Sequence, residues 1–333
     1  MLILDQRSVQ RLLPMHECIE VMAATLGTLA RGEAVLPLRT VIRIPKGRDA
    51  FAVMPAFLGS PKTIGAKIIT VYPGNHGTQF DSHQGAVLLF DAENGSLAAL
   101  LDATSVTTIR TAAVSGLATR LLARHDATEL AILGAGVQGH SHLEAIHAVR
   151  PLTMVRVWSR NTDHARVLVD VAKNRFGVEA VVSPTAEDAV RKSSIVCATT
   201  SATEPVLRGD WLTPGTHVNA VGASTPNARE IDTRTVVRSR LYVDRRESAL
   251  NEPGDILTPL REGDIGPEHI VGEIGEVVLG RVPGRGDDRE ITLFKSLGLA
   301  VEDLGAASHV YAKALRAGEG QRVALGGARD AAT

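Results

Sequence analysis

The stretch Glu129-Leu130-Ala131-Ile132-Leu133-Gly134-Ala135-Gly136-Val137-Gln138-Gly139 decides how this chain is read. Leu130–Leu133 is an apolar run of strand length that leads straight into a G-x-G-x-x-G, and helical spacing follows over Val137–Val149. In that context each glycine has its own task. Gly134 permits a tight turn, Gly136 lets the backbone approach a pyrophosphate, and Gly139 lets the helix pack closely on the strand. Val137 and Gln138 begin the helix, whose free N–H groups face the anion. A glycine turn that binds nothing is the bland reading, and the order strand, motif, helix, strand argues against it.

Downstream, strands and amphipathic helices alternate. Strand Val155–Trp158 is followed by helix Asp163–Phe176, strand Val178–Val182, helix Ala186–Lys192 and strand Ile195–Ala198, with further strands at His217–Val221 and Leu241–Asp244. Such alternation means an α/β fold, a Rossmann-type doubly wound parallel sheet with helices on both faces. The end of the second strand reports on the cofactor. A NAD-selective site carries a carboxylate there for the ribose 2′-hydroxyl, whereas this chain has Ser159 and Arg160. A guanidinium pairs with a 2′-phosphate that a carboxylate would repel. NADP(H) is therefore the expected cofactor and NAD(H) the alternative, unless Arg160 is only a solvated loop residue.

Upstream lies a second domain of α+β type. Pro14–Leu29 has helical spacing with Arg31-Gly32 as its stop, and apolar runs at Val35–Ile44, Ala50–Leu58, Thr63–Val71 and Ala86–Phe90 read as strands. Asn94-Gly95 marks a hairpin between Val87–Phe90 and Leu97–Leu101, and a long Ala-rich helix covers Thr107–Leu122. The tail from Gly318 is expected to fray. Lys67 stands out because it sits inside the apolar run Ile64–Ile69, where burying an ammonium costs several kcal/mol, on the order of known desolvation penalties, unless an anion meets it. Arg110, at an Ala-rich helix, could serve a carboxylate or a cofactor phosphate. Arg39 reads equally well as a ligand cation or an ordinary salt-bridge residue.

Composition narrows the function. The 333 residues carry 36 Lys+Arg against 37 Asp+Glu, a net charge of −1, and 3% aromatics, which argues against nucleic acid as the partner. The apolar runs are too short to cross a bilayer, and the first residues lack the pattern of a secretory signal. Two cysteines, Cys18 and Cys197, make no disulfide framework. A cytoplasmic protein acting on a small molecule, with no metal spacing, is expected.

Taken together, the motifs resemble those of the ornithine cyclodeaminase/μ-crystallin family, closest to its μ-crystallin (ketimine reductase) branch. The matching segments are Leu38-Arg39-Thr40, Val53–Ala56, Ala66-Lys67-Ile68, Ser82-His83-Gln84, Ile109–Ser115, Ile132–Gln138, Asn219–Ser224, Glu273–Glu276 and Phe294–Asp303. They run in order from about residue 36 to about 305. The resemblance implies residues 1–118 as a substrate-binding and dimerisation domain rejoined by 304–333, and 119–303 as the Rossmann domain. It implies a homodimer with joined N-terminal sheets, and a small cyclic imine or amino acid as substrate. It assigns Arg39, Lys67 and Arg110 to the substrate carboxylate and puts Ser82, His83 and Gln84 near the nicotinamide. Thr111 would lie at the phosphates, Thr199, Thr200, Val221 and Gly222 at strand ends, and Ser296 by the ring. His83 could equally serve only a local hydrogen bond.

One departure bears on the reaction. Ornithine cyclodeaminases and related alanine dehydrogenases carry an aspartate after the fifth strand, where this chain has Ser224. Oxidising an amino acid calls for a base, and a serine hydroxyl is a poor one. A cyclic imine already protonated at nitrogen needs only to be oriented for hydride transfer. The expected activity is therefore NADPH-dependent reduction of Δ1-piperideine-2-carboxylate or Δ1-pyrroline-2-carboxylate to pipecolate or proline. His83 and Glu230 are the candidate proton donors. Cyclodeamination, an alanine-type dehydrogenase reaction, or mere binding of a small molecule such as thyroid hormone are the alternatives. Ser224 also reads as the N-cap of a helix starting at Pro226.

Overall fold

The structure, a computed structural model, describes residues 1–325 apart from Lys46, Arg48 and His76. The chain begins with β1 (Leu2–Leu4), α1 (Gln6–Leu12), α2 (Met15–Ala30), β2 (Ala34–Val35), β3 (Thr40–Arg43), β4 (Ala50–Gly59), β5 (Lys62–Val71), β6 (His83–Phe90), β7 (Leu97–Asp102) and α3 (Ala103–Leu122). It continues through β8 (Glu129–Leu133), α4 (Val137–Val149), β9 (Met154–Trp158), α5 (Thr162–Phe176), β10 (Glu179–Val182), α6 (Ala186–Arg191), β11 (Ile195–Ala198) and β12 (His217–Ala220). Then come α7 (Thr233–Val237), β13 (Arg240–Val243), α8 (Arg246–Ala249), α9 (Gly254–Glu262), β14 (Ile270–Glu273), α10 (Ile274–Val278), β15 (Thr292–Lys295), α11 (Ala300–Ala317) and β16 (Gln321–Arg322). Two compact units result, one of residues 1–110 with 299 onward and one of residues 111–298. The division falls inside α3 rather than after residue 118, and ahead of α11 rather than after 303.

The first unit is a mixed sheet in the order β16-β1-β7-β6-β5-β4-β2, with β3 also on β4. Along β4 the side chains alternate: Ala50, Ala52, Met54, Ala56 and Leu58 are buried, while Phe51, Val53, Pro55 and Phe57 are half-buried. That period of two is the mark of a strand with one covered face, and α2 and α11 pack on β4. The single strand expected over Val35–Ile44 is broken in two. β2 pairs with Phe57 and Leu58, β3 pairs with Ala50–Val53, and Pro55 lies in the gap, where its missing N–H costs no ladder bond. The Asn94-Gly95 hairpin forms, but over residues 91–96 rather than a two-residue turn. Asp91 Oδ1 accepts from the N–H groups of Glu93 and Asn94, which stabilises the longer loop. The expected fraying from Gly318 is corrected in part. β16 pairs with β1, and the Val323 N–H donates to Met1 O at 3.0 Å, while residues 326–333 lie outside the described residues.

The second unit is an all-parallel sheet in the order β10-β9-β8-β11-β12-β15-β13-β14. Strands β8 and β11 are neighbours although β9 and β10 intervene in sequence, so the strand order reverses there, and open sheets bind ligands outside such a crevice. One cluster around Leu130, Ile132, Leu143, Val155 and Leu168 and another around Leu133, Val196, Val218, Leu241 and Leu293 form its apolar core. The end of α3 is anchored by a buried arginine. Arg150 donates to the carbonyls of Thr119 at 3.0 Å, Ala123 at 3.1 Å and Arg124 at 3.2 Å, satisfying groups that a helix end leaves bare. Arg150→Met, which keeps the stem and removes the donors, is expected to lower the unfolding free energy by about 2–4 kcal/mol. Urea denaturation reads this directly, and an unchanged midpoint would mean the carbonyls find other donors.

Candidate active site

Lys67 is buried at 2% exposure on β5, and the anion its position demands is Asp303, whose Oδ2 lies 2.7 Å from Nζ. Arg110, on α3, joins the same pair: Nε donates to Asp303 Oδ1 at 2.9 Å and Nη1 to Glu302 Oε2 at 2.8 Å. Both acids sit in the first turn of α11, where the helix dipole favours negative charge. Thr107 Oγ1 lies 3.4 Å from Lys67 Nζ. Arg39 directly precedes β3, half-buried, and Met54, next on β4 after the partner of Thr40, pairs with Lys67. Two cations, Lys67 and Arg110, and two carboxylates therefore meet in one buried cluster, and the half-buried Arg39 lies near enough to act on the Lys67 charge. The acids were within the matched segment Phe294–Asp303 but had no assigned role; adjacent carboxylates at a helix start, opposite a cation that needs burying, were the available signal.

Electrostatics follow the packing. Burial draws the Lys67 ammonium down to about 8; Asp303 opposes this, while Arg110 and Arg39 reinforce it. Burial alone would raise the Asp303 carboxyl, yet Arg110 and Lys67 overcome it and hold the group below its ordinary value. His83 is not part of this cluster. It is exposed at the start of β6, its Nδ1 3.1 Å from Ser82 Oγ, and the residue of β6 that pairs with Lys67 is Val87.

In the second unit the glycine motif has the form expected of a phosphate cradle. Gly134 has φ +103°, and a Cβ there would lie 2.9 Å from Thr199 O. A Cβ on Gly139 would lie 2.3 Å from Gly134 O, so only glycine lets α4 approach the loop. Gly136 is the N-cap of α4 without a side-chain bond, and nothing lies within 4 Å of where its Cβ would stand. The open space, the helix start and the bare backbone fit a dinucleotide pyrophosphate. Thr199 closes the switch point by donating from Oγ1 to Gly134 O at 2.9 Å. Ser296, buried after β15, has an Oγ with no hydrogen-bond partner among the described residues, as suits a group awaiting a ligand. Arg160 is exposed after β9 and Ser159 Oγ accepts from the Asn161 N–H at 3.3 Å. Thr111 is buried on α3.

Two expectations are corrected here. Ser224 starts no helix: the segment up to Asp232 is irregular, and α7 begins only at Thr233 with Asp232 as its cap. Its backbone is spent on tertiary bonds instead, with Glu230 N–H donating to Asp255 Oδ1 at 2.9 Å and Glu230 O accepting from Val206 and Leu207. Glu230 is also no proton donor to a substrate. It is fully buried, and its two carboxylate oxygens accept from the N–H groups of Thr200 and Gly222. Asp255 in turn meets Lys295 Nζ at 3.0 Å, and Asp244 Oδ2 accepts from Gly298 N–H at 2.8 Å. Sequence reading missed Asp255, Lys295 and Asp244, since no local pattern distinguishes a buried acid from a solvated one.

Asp303→Asn should lower the unfolding free energy by about 3–5 kcal/mol, because it leaves Lys67 and Arg110 buried without their shared carboxylate. Adding Lys67→Met should restore part of the loss in a double-mutant cycle by urea unfolding. Because the folded Asp303 pKa is depressed, its contribution is in place above about pH 4 and fades as pH falls through the folded value. The variant should therefore lose less stability than the parent on acidification, and equal acid limbs would argue against the pairing.

Comparison with known proteins gives a consistent answer. The ornithine cyclodeaminase/mu-crystallin family matches residues 1–318. The ketimine reductase mu-crystallin of Mus musculus is 40% identical over 293 residues, covering 88% of this chain and 90% of its own. A solved Δ1-pyrroline-2-carboxylate reductase of Thermococcus litoralis, in complex with NADH and L-proline, superposes with a TM-score of 0.95 at 39% identity, over 97% of this chain and 100% of that one. An archaeal alanine dehydrogenase dimer with bound NAD gives a TM-score of 0.92 at 32% identity, over 98% and 99%. The chain belongs to the ornithine cyclodeaminase/mu-crystallin family.

Proposed function

We propose that this chain is an NADPH-dependent reductase of cyclic ketimine carboxylates, converting Δ1-piperideine-2-carboxylate or Δ1-pyrroline-2-carboxylate to pipecolate or proline. The observation that carries the reading is the buried ammonium of Lys67, held by Asp303 beside the buried guanidinium of Arg110 on the same carboxylate, with Arg39 near enough to act on its charge. Clustered ammonium and guanidinium groups are the donors that recognise a substrate carboxylate through charge-assisted hydrogen bonds. The named activities of the relatives, reduction of ketimines and of pyrroline-2-carboxylate, are of the same class.

In this reading Lys67, Arg110 and Arg39 bind the substrate carboxylate, while Asp303 and Glu302 hold two of those cations in place. When bound, the dinucleotide supplies a hydride. The glycine loop Gly134–Gly139 takes its pyrophosphate, and Thr111, Thr199, Thr200, Val221, Gly222 and Ser296 shape the rest of its seat. A ring C=N protonated at nitrogen brings its own proton, so the protein's task is to orient it, and Ser224 stands where a base would otherwise be needed. Preference for NADPH rests on Arg160 and on the lack of a carboxylate at the end of β9.

A second copy of this chain is the partner we assign to the half-exposed face of the first sheet. Phe51, Val53, Pro55 and Phe57 of β4 lie across from Thr70, Ile68, Ala66 and Ile64 of β5, giving a contiguous, largely apolar surface of the kind that marks a protein contact. A cytoplasmic setting agrees with two free, buried cysteines, and among the described residues no helix is long and apolar enough to cross a membrane.

The central test is NADPH and NADH oxidation measured side by side with cyclic imines, with pyruvate plus ammonia, and, in the oxidising direction, with ornithine. Turnover confined to the imines is expected, while ammonia release from ornithine would move the chain to cyclodeamination. Lys67→Ala should abolish imine turnover with NADPH affinity nearly intact. Arg160→Asp should raise the Michaelis constant for NADPH at least tenfold more than that for NADH, since one charge-assisted pair is worth about 1.5–3 kcal/mol. Equal effects on both cofactors would remove the 2′-phosphate argument.

A further inference from the structure

Glu230 ties together two loops that lie far apart in sequence. Thr200 follows β11 and Gly222 follows β12, and the N–H of each donates to a different oxygen of the Glu230 carboxylate. Space at this junction is tight, since a Cβ on Gly222 would stand 1.9 Å from Thr200 O and 2.6 Å from Glu230 Cδ. Glu230 is itself held from behind. Asp255 Oδ1 accepts from the N–H groups of Glu230 and Ile231 at 2.9 and 3.2 Å, and Asp255 Oδ2 meets Lys295 Nζ, at the end of β15, at 3.0 Å. Two buried acids and one ammonium thus join the C-terminal ends of β11, β12 and β15, where a parallel sheet receives its ligand.

Only an ionised carboxylate can do this with both oxygens. A glutamine of the same shape accepts with one oxygen and turns an N–H toward the second backbone donor. We propose that Glu230 is a positioning residue for the dinucleotide: its ionised carboxylate sets the spacing of the Thr200 and Gly222 backbones, and so the form of the two loops that seat the nicotinamide half. This rests on the cofactor reading above.

The chemistry gives the clamp a pH signature. Burial raises the Glu230 pKa to about 7; Lys295 and the two N–H groups oppose the rise and Asp255 adds to it. Cys197, the other titratable group that faces it, is itself pushed up to about 12 by burial and stays a neutral thiol. Because the folded pKa lies above the ordinary 4.5, the folded state binds more protons between those values, and stability falls as pH rises through that window. Dinucleotide affinity runs the other way and rises as the carboxylate forms. A purely structural residue does not produce these opposed slopes.

The test is NADPH binding by fluorescence titration at pH 6 and pH 8, with urea unfolding of the ligand-free protein alongside. Comparison with Glu230→Gln at each pH removes the titration of the ligand's own phosphate. Wild type should bind about tenfold more tightly at pH 8 than at pH 6 relative to the variant, as full linkage to a group of pKa near 7 requires. The variant should bind roughly 10–100-fold more weakly at pH 8, on the scale of one lost charged hydrogen bond, while unfolding no more easily there than wild type. Equal binding by the two proteins, or parallel pH profiles, overturns the proposal. Should the variant fail to fold, amide exchange at Thr200 and Gly222 in wild type decides: protection greater at pH 8 than at pH 6, after correction for intrinsic rates, supports the clamp, and constant protection overturns it. If wild type binds no dinucleotide at either pH, the cofactor reading fails and this proposal falls with it.

Discussion

An ammonium inside a β-strand is the constraint on which the first unit depends. Lys67 lies in the middle of β5, with Gly65 and Ile69 on its own face of the strand, and water cannot solvate it there. Its charge is tolerable only beside Asp303, and Asp303 belongs to a helix more than two hundred residues later in the chain. Arg110 then shares the same carboxylate and takes Glu302 as well, so sheet, linker helix and returning helix converge on one charged knot. Breaking such a knot from one side leaves a buried charge uncompensated, which is far more costly than never having built it.

Charge is buried in the second unit too, but in a different arrangement. There Glu230 and Asp244 accept from backbone N–H groups just past strand ends, and Asp255 accepts from those of Glu230 and Ile231 while pairing with Lys295. Backbone donors are fixed in place by the strands that carry them, so the acids fasten loops that have no hydrophobic core of their own. The first unit pairs its buried charges side chain to side chain, and the second sets most of them against the backbone. Both are departures from an apolar interior at positions where packing alone would give stability without chemistry.

The parallel sheet was legible because its signals are local. A short apolar strand, a glycine turn and a helix at Val137 fall within one window, and most strand and helix limits from Glu129 to Val243 lie within a residue or two of the expected ones. The exceptions have physical causes. Thr292–Lys295 is short, ends on a lysine and follows the charged stretch Arg285–Glu290, so nothing marks it as a central strand; only its burial between β12 and β13 reveals it. The helix expected after Ser224 carried good capping residues, but tertiary bonds to Asp255, Val206 and Leu207 claimed its backbone first. Lys67 was visible as a charge out of place, and Arg39 and Arg110 came from the resemblance, whereas Asp303, Glu302 and Asp255 looked like any acidic residues until the fold brought partners to them.

The returning helix α11 has a consequence for how the protein is made. Residues 1–110 are synthesised before the parallel unit, yet the helix that covers β4, β5 and β6 and brings Asp303 to Lys67 is synthesised after it. The parallel sheet, continuous from 111 to 298, can be assembled while the earlier sheet still lacks its cover and carries an unneutralised lysine. The earlier unit is thus completed after the later one, and a chain broken between residues 298 and 303 would keep the whole nucleotide unit while leaving the N-terminal unit without the helix that closes its interior.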